Sequence, residues 1–445
     1  MISRSQTTRS AGSGSEESFQ QGLIALRENR LNQAIEAFTA AEEIRPGDAR
    51  VHNFRGIALM SAGRFDEAAR EYLRATELDS RLEDAHRNLG YLEWTAHQND
   101  RARNQFERAL ELAPDDIFAR YYLARLDLED SREEQAVALF KQLAGQNNSP
   151  PWAQYDLAMA YLHARQYENA ARLAQTLSQN PQMTPADLGS IYTIIGIADT
   201  KLRRDEQARA IFRKAASSAP GQEEHWLNLT RELMESNRFA ESIAAAQEGL
   251  KSNPKSYALH LRLGAAYISS GEYAEAEKSF RGLVNAGDPL PMSYIGLAQV
   301  LLRTGRAAEA ASMLADAEQR LEPQFLIVYF EGLALDRAGD RAASLQAFDR
   351  AVRINPNNAD AHLGAGKTSL ALGHFNDAVA ELQKVLQLDP GNQPARRLLH
   401  LAYARLGDHV NAAKYATAPT DPEPEPAASL VGDFILPDWR EPRAQ

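Results

Sequence analysis

The sequence predicts an all-α protein, a solenoid of about twelve helix–turn–helix repeats that are each 34 residues long. Two observations carry this prediction: small residues recur every 34 positions, and bulky residues recur with the same period sixteen positions later. A third observation is that helix-breaking prolines fall where a repeat would end. A period of about 20–50 residues is typical of arrays whose repeats bury their core against each other.

The first column of the repeat holds Gly or Ala at ten of its twelve positions, and one step, before Gly196, is 38 residues long. Its members are Gly22, Gly56, Gly90, Ala124, Ala158, Gly196, Thr230, Gly264, Ala298, Gly332, Gly366 and His400. Twelve residues after each member stands Ala or Ser: Ala34, Ala68, Ala102, Ala136, Ala170, Ala208, Ser242, Ala276, Ala310, Ser344, Ala378 and Ala412.

Four residues further on, a third column is bulky at most positions: Phe38, Tyr72, Phe106, Phe140, Phe212, Phe280, Leu314, Phe348 and Leu382. A small side chain allows a ring from the neighbouring helix to approach closely, so the columns predict two interlocking helices in each repeat. The repeats end at helix breakers, which are Pro46, Pro114, Pro220, Pro254, Pro356 and Pro390.

These columns resemble the tetratricopeptide repeat. The resemblance covers residues 15–418 as twelve repeats, the last truncated, that begin at residues 15, 49, 83, 117, 151, 189, 223, 257, 291, 325, 359 and 393. Residues 83–116 match the family's pattern nearly completely, with Gly90, Ala102, Phe106, Ala109 and Pro114. The resemblance implies a right-handed superhelix in which first helices line a concave groove and second helices form the convex back.

The pattern is weakest in residues 151–184, where Ala174 and Leu177 replace the family's aromatic and Ala residues, and four extra residues, 185–188, follow. Because neighbouring repeats stabilise each other, we expect a hinge near this defect. Residues 1–14 precede the array and are expected to form a disordered segment.

The composition and the termini exclude several functions. The chain has no Cys, which removes thiolate metal sites and Cys nucleophiles. It carries 60 acidic and 49 basic side chains, a net charge of −11 that disfavours nucleic acid as a partner. No apolar run reaches the ~20 residues of a membrane-spanning helix, so no membrane insertion is expected. The N-terminus lacks a signal-like apolar run, which favours the cytoplasm; a start further upstream would allow the periplasm instead.

No motif predicts catalysis, a cofactor or a metal site. The string Gly-Lys-Thr at 366–368 resembles the end of a phosphate-binding loop, but it lies inside a predicted helix and Ala361 replaces the required Gly. No two His have the i, i+4 spacing of metal ligands. Four His share position 4 of their repeats and are expected to pack between helices: His52, His86, His260 and His362. We therefore predict that the chain is not an enzyme and uses no cofactor.

Aromatic residues concentrate at positions 2, 5, 9 and 12 of the third to fifth repeats, which face the groove in the family. The predicted partner-binding residues are Tyr91, Trp94, Phe118, Tyr121, Trp152 and Tyr155, with Tyr122 beside them and Arg125 at position 9. Rings offer a large contact area at low entropic cost, and Arg holds carboxylates, so this surface suits a peptide. The alternative is that the rings pack on neighbouring first helices and are mostly buried.

The family's carboxylate clamp for chaperone C-termini is not expected, because position 5 never offers Lys and position 9 never offers Asn. After the array, residues 419–428 are predicted to form an extended Pro/Glu-rich linker. Residues 429–445 carry an apolar tail motif, Leu430, Phe434, Ile435, Leu436 and Trp439. Four fates stay open for this motif: it caps the array, docks in the chain's own groove, binds a partner, or is disordered.

Together these observations predict a non-catalytic scaffold or adaptor that binds peptide segments or partner proteins in the concave groove. The alternative is a non-catalytic subunit of an enzyme or of an envelope-assembly or secretion complex.

Overall fold

The computed structural model describes residues 3–145, 151–287, 291–321 and 324–416, with side chains from residue 14 onward except that of Pro151. The described residues form helices joined by short turns, and they contain no strand. The prediction of an all-helical repeat fold is confirmed. The chain divides into two compact parts, unit 1 (Met1–Ala208) and unit 2 (Arg209–Gln445).

Unit 1 contains α1 (Ser3–Arg27), α2 (Leu31–Ile44), α3 (Ala49–Ser61), α4 (Phe65–Leu78), α5 (Glu83–Thr95), α6 (Asn99–Leu112), α7 (Ile117–Glu129), α8 (Glu133–Ala144), α9 (Pro151–His163), α10 (Tyr167–Leu177) and α11 (Pro185–Lys201). The boundary between the units falls within α12 (Asp205–Ser218).

Unit 2 continues with α13 (Glu223–Glu235), α14 (Phe239–Ser252), α15 (Tyr257–Ser270), α16 (Tyr273–Asn285), α17 (Pro291–Arg303), α18 (Ala307–Arg320), α19 (Phe325–Ala338), α20 (Arg341–Ile354), α21 (Ala359–Leu372), α22 (Phe375–Leu388), α23 (Gln393–Arg405) and α24 (His409–Lys414). Odd-numbered helices are the first and even-numbered helices the second of each hairpin. Within each unit, successive first helices such as α5 and α7 contact each other, whereas successive second helices in the described residues barely do.

The core of each hairpin is a ring of the second helix that lies against a small residue of the first. A Cβ atom added at Gly56 would lie 2.6 Å from Cε1 of the buried Tyr72, and one added at Gly264 would lie 2.6 Å from Cζ of the buried Phe280. Neither ring has room to retreat in a close-packed interior. The predicted interlock between the small and the bulky columns is confirmed.

The turn inside each hairpin contains one residue in the left-handed conformation. In unit 1 these residues are Asn29, Gly63, His97, Ser131, Arg165 and Arg203. In unit 2 they are Asn237, Gly271, Gly305, Gly339, Gly373 and Gly407. The two units thus build the same turn largely from different residue types.

A repeated hydrogen bond, called here the loop clip, ties many first helices to the loop before them. The side chain at position 4 donates to the carbonyl oxygen six residues earlier, as His362 Nε2 does to Pro356 at 3.0 Å. The other clips are His52 to Pro46, His86 to Ser80, Arg120 to Pro114, Trp226 to Pro220, His260 to Pro254 and Arg396 to Pro390. The predicted packing role is confirmed for three of the His, which are buried: His52, His86 and His362.

The N-terminal segment differs from its prediction, and the two predicted C-terminal segments are not described by the structure. Helix α1 begins at Ser3 and so includes most of residues 1–14, which were predicted to be disordered. The segment lacks Pro, and extending an existing helix costs far less than nucleating one. The linker 419–428 and the tail motif (Leu430, Phe434, Ile435, Leu436, Trp439) lie outside the described residues.

The inserted residues 185–188 form the first turn of α11. A capping box starts this helix: Asp187 N donates to Thr184 Oγ1 at 3.2 Å, and Thr184 N donates to Asp187 Oδ2 at 2.9 Å. The insertion therefore lengthens a first helix at its beginning. The hinge around 177–188 stays a prediction, and amide hydrogen exchange there, compared with residues 90–110, measures it.

Candidate partner-binding surface

Three successive first helices of unit 1 bring together most of the predicted partner-binding residues. Helix α7 starts where the Asp116 carboxylate accepts a hydrogen bond from Ala119 N at 2.9 Å. From that start, positions 2, 5 and 9 fall along one stripe of the helix. We call the resulting cluster on α5, α7 and α9 the aromatic surface; it consists of Tyr91, Trp94, Tyr121, Tyr122, Arg125 and Trp152.

Tyr122 is the centre of the aromatic surface. Its ring centroid lies 4.9 Å from that of Tyr91 and 5.0 Å from that of Trp94, both on α5. The ring also stacks on Phe106 of the core, at 5.7 Å and an interplanar angle of 14°. Burial among these rings raises the pKa of Tyr122 to about 12. The surface is therefore anchored to the packed interior of its repeat.

Tyr121 continues the cluster from α7 to α9. Its ring meets Trp152 edge to face, with centroids 4.7 Å apart, and touches Tyr122 at 5.1 Å. The alternative interpretation of the sequence is partly correct, because these rings do pack across neighbouring first helices. They are not removed from solvent, however: Tyr121 is half-buried and Trp152 is 41% exposed.

Arg125 supplies the positive charge of the aromatic surface. Its guanidinium carbon lies 5.2 Å from the ring centroid of Trp94 and 5.9 Å from that of Tyr121. Its Nη1 donates a long hydrogen bond, 3.4 Å, to the Tyr121 hydroxyl. Arg125 is exposed and forms no ion pair with any residue that the structure describes. The guanidinium is thus held between two rings with its outer side open.

Two carboxylates border the surface, and sequence reasoning missed both. Glu129 accepts hydrogen bonds from Trp94 Nε1 at 3.2 Å and from Asn99 Nδ2 at 3.1 Å. Asp156 lies near the Tyr121 hydroxyl, and burial raises the pKa of this carboxyl although Tyr121 and the nearby Arg125 oppose the rise. Both lie outside the groove columns, at positions 13 and 6; their only sequence signal is proximity to Arg125 and Tyr155.

Phe118 and Tyr155 are the remaining two predicted residues. Phe118 is 61% exposed and has no ring contact within the described part of the chain. Tyr155 is half-buried on α9. The structure therefore places six of the eight residues in one cluster and Phe118 outside its ring contacts. The part of all eight in partner binding stays a prediction.

No cluster of three or more His, Asp or Glu side chains able to hold a metal ion exists among the described residues. Within the same residues, no helix combines the length and the apolarity needed to cross a membrane.

Several known proteins are similar to this chain in sequence. A Drosophila melanogaster homologue of the BBSome complex member BBS4 is 23% identical over 351 residues, which cover 75% of this chain and 71% of that protein. Anaphase-promoting complex subunit 3 of Schizosaccharomyces pombe is 20% identical over 297 residues, 67% of this chain and 43% of that protein. Cellulose synthase operon protein C of Escherichia coli is 26% identical over 299 residues, which cover 62% of this chain and 24% of that protein. The chain thus spans less than half the length of two of these three relatives.

Solved structures with a similar course of the chain include the Naa15/Naa10 complex bound to HypK-THB. It has a TM-score of 0.40 at 15% identity, covering 90% of this chain and 67% of that one. The Cut9–Hcn1 hetero-tetramer of the APC/C has a TM-score of 0.39 at 12% identity, and the match covers 87% of this chain and 96% of the chain in that structure.

Two sequence models described as tetratricopeptide repeat match the chain. One matches residues 19–81, 87–151 and 227–291, and the other matches residues 337–399. Together the matches span more than half of the chain, in both units, and they coincide with the helical hairpins described above. The chain therefore belongs to the tetratricopeptide repeat family.

Proposed function

We propose that the chain is a non-catalytic protein-binding scaffold whose aromatic surface holds a segment of a partner protein. The observation that carries the proposal is Arg125, an exposed guanidinium fixed between the rings of Trp94 and Tyr121. A positive charge on an apolar platform offers both a hydrogen-bonding anchor and a large contact area. It fits a peptide that presents a carboxylate next to an apolar side chain.

The surface is also partly prepared for binding. Because the rings pack on each other and on Phe106, their rotamers are already restricted in the free protein. Less side-chain entropy is then lost when a ligand arrives. Trp152, at the α9 end, remains sufficiently exposed to gain buried area from a partner.

The names of two relatives support the proposal that the chain acts within a protein assembly, since one relative is called a subunit of a complex and the other a complex member. We propose the same for this chain: it binds partner proteins and brings them together without chemistry of its own. A non-catalytic subunit of an envelope-assembly or secretion complex is a special case, and similarity to cellulose synthase operon protein C is consistent with it.

Photo-crosslinking from two matched positions tests the site. A photoreactive phenylalanine analogue replaces Phe118, which is 61% exposed beside the aromatic surface, or Phe65, which is 57% exposed at the start of the second helix α4. We expect the cell's partner to crosslink from position 118 and not from position 65. Equal crosslinking from both positions, or none from 118 when the partner co-purifies, contradicts the proposed site.

A further inference from the structure

Four repeats carry His at position 4, and they differ in what faces that His from the second helix. Three of them place a long polar side chain at position 23 and a basic one at position 26: Glu71 with Arg74, Gln105 with Arg108, and Glu381 with Lys384. The repeat that begins at 257 has the two smallest alternatives, Ser279 and Gly282. One repeat thus lacks a side chain that its equivalents use.

The missing side chain leaves an imidazole nitrogen without its usual partner. In the complete repeats the Nδ1 atom meets position 23, as His362 does with Glu381 Oε2 at 2.5 Å. His260 keeps its loop clip to the carbonyl oxygen of Pro254 at 3.2 Å. Its Nδ1 has no protein partner in the described ranges, since Ser279 turns its hydroxyl to the Glu275 carbonyl oxygen at 2.9 Å.

A cavity of about 660 Å³ occupies this place, between second helices α14 and α16 and above α15. A Cβ added at Gly282 would meet nothing within 4 Å, which shows that position 26 faces open space. The cavity wall includes Lys255, Lys278, Leu263 and Leu283 besides His260. It therefore joins a positive rim to an apolar floor.

The charges at the cavity favour an anionic group. Lys255 and Lys278 are exposed and have no ion pair with any residue the structure describes, and Glu275 is the opposing charge on the wall. Tyr257, Tyr267 and Gln247 are the remaining polar side chains there, and Gln247 already donates to the Tyr267 hydroxyl at 2.9 Å. Two cations and an imidazole against one carboxylate make a site that complements a negative charge.

We propose that this cavity binds a glutamate side chain of a partner protein, which takes the place that Glu381 and Glu71 occupy in their own repeats. The incoming carboxylate accepts from His260 Nδ1 and from the ammonium groups of Lys255 and Lys278. The cavity exceeds the volume of one such side chain, and its leucines accommodate an apolar neighbour in the partner's sequence. A protein segment is favoured over a small acid because the site is open along two helices.

The site is separate from the aromatic surface. Positions 4, 7 and 11 of a helix point about 150° away from positions 2, 5, 9 and 12. His260, Leu263 and Tyr267 occupy the former set in α15 of unit 2. Failure of one proposal leaves the other standing, since they concern different faces of different units.

The hydrogen bond to the carboxylate sets a condition on the protonation of the ring. Nε2 of His260 donates to Pro254, so Nδ1 donates to a carboxylate only when the ring carries both protons. The peptides are therefore compared at mildly acidic pH.

The test uses the full chain and two blocked peptides, acetyl-Ala-Leu-Glu-Leu-Ala-amide and the same peptide with Gln in place of Glu. At pH 6 we expect the Glu peptide to bind at least about fivefold more tightly than the Gln peptide by calorimetry, as one or two charge-assisted hydrogen bonds give. Free glutarate serves as the small acid and is expected to bind more weakly than the Glu peptide.

Matched variants close the site or copy it. The pair Ser279→Glu and Gly282→Lys restores the side chains of the repeat at 359 and should abolish the preference for Glu while leaving the melting temperature unchanged or higher. Lys278→Ser and His260→Asn should each reduce the preference for Glu, because each removes one of the proposed donors. The reverse pair, Glu381→Ser and Lys384→Gly, opens the equivalent place beside His362 but should not raise the stoichiometry to two, because Asn357 and Ala380 stand there in place of Lys255 and Lys278.

Three results overturn the proposal. They are equal binding of the Glu and Gln peptides at pH 6, an undiminished preference in the folded Ser279→Glu, Gly282→Lys variant, and tighter binding of glutarate than of the Glu peptide. The melting temperature of each variant shows that it is folded, so a lost preference is assigned to the site.

Discussion

Helices α7 and α17 hold the same place in their repeats, yet they use the same four positions in opposite ways. Positions 2, 5, 9 and 12 of α7 are half-buried or exposed: Phe118, Tyr121, Arg125 and Leu128. In α17 the corresponding residues are Met292, Ile295, Gln299 and Leu302, of which the last three are buried. The family's groove positions are therefore available for binding in α7 and largely buried by packing in α17.

The difference has a simple physical origin. In α15 and α17 most of these positions carry aliphatic or small side chains, Gln299 excepted, and the neighbouring first helices α15 and α19 contact α17 extensively. Between α5, α7 and α9 the positions carry rings and Arg125, and contacts between these helices are sparser. Large side chains at the contact hold helices further apart and fill the space between them. The side chains at the contact, together with how closely the neighbouring helices approach, set how much of the surface of α7 and of α17 stays accessible.

Shortening one side chain on this face of α17 and one on the same face of α7 tests the comparison most directly. Ile295→Ala removes a fully buried side chain and should lower the free energy of unfolding by about 2–5 kcal/mol. Phe118→Ala removes a side chain that is 61% exposed and should change it by less than about 0.5 kcal/mol. Urea titration followed by helix signal measures both; similar losses would contradict the contrast between the two helices.

Removing the charge of the aromatic surface should affect binding and not folding. Arg125→Ala is expected to weaken the partner about tenfold, as loss of one charge-assisted contact does, because the guanidinium is exposed and unpaired within the described structure. Arg70→Ala, on the second helix α4, removes an equally exposed charge and is the control. Affinity for the crosslinked partner and the melting temperature are measured together; equal weakening by both variants would refer the effect to net charge.

The left-handed turns offer a smaller contrast between the units. Ser131 and Arg165 adopt φ of 55° in unit 1, a conformation that costs a side chain about 1–2 kcal/mol relative to Gly. After the entropic cost of Gly in the unfolded chain, Ser131→Gly and Arg165→Gly should each stabilise unit 1 by about 0.5–1 kcal/mol. Gly339→Ala, at φ 89°, should destabilise unit 2 by a similar amount. Hydrogen exchange of the flanking helices reports each effect locally.

The smallest expected effect concerns Asp156, whose pKa is raised by burial. A carboxyl with a raised pKa holds its proton more tightly when folded, so its contribution to stability falls as the pH rises through that pKa. Asp156→Asn should therefore raise the melting temperature slightly at pH 7, and the gain should vanish as the pH falls toward 4. A gain that persists at pH 4 would assign the effect to something other than the charge.

Much of the fold follows from columns visible in the sequence. Glycine at 56 and tyrosine at 72 predict a close helix–helix contact, and the structure places that ring where a Cβ would be. Such local, repeated steric rules are readable because each repeat solves the same packing problem. The clustering of Tyr91, Trp94 and Tyr121 was predictable for the same reason, from their shared face.

Other features depend on spacing between side chains that no column shows. Glu129 borders the aromatic surface through a hydrogen bond from Trp94, and Asp156 lies near Tyr121; their sequence positions alone do not indicate those neighbours. The cavity beside His260 results from two absent side chains, which a search for motifs passes over. Comparing positions 23 and 26 across the four repeats with His would have found it.

The loop clip fixes the number of residues between one hairpin and the first helix of the next. Donor and acceptor are six residues apart, so one extra residue between Pro356 and His362 would turn the donor about 100° away and leave the carbonyl oxygen unsatisfied. At α11, where four residues are inserted, Tyr192 holds position 4 and makes no such bond in the structure as described. Splicing whole 34-residue modules at the clipped seams would accordingly lengthen or shorten the array and keep each clip, whereas an insertion of another length, like the one that extends α11, gives up the clip at its seam.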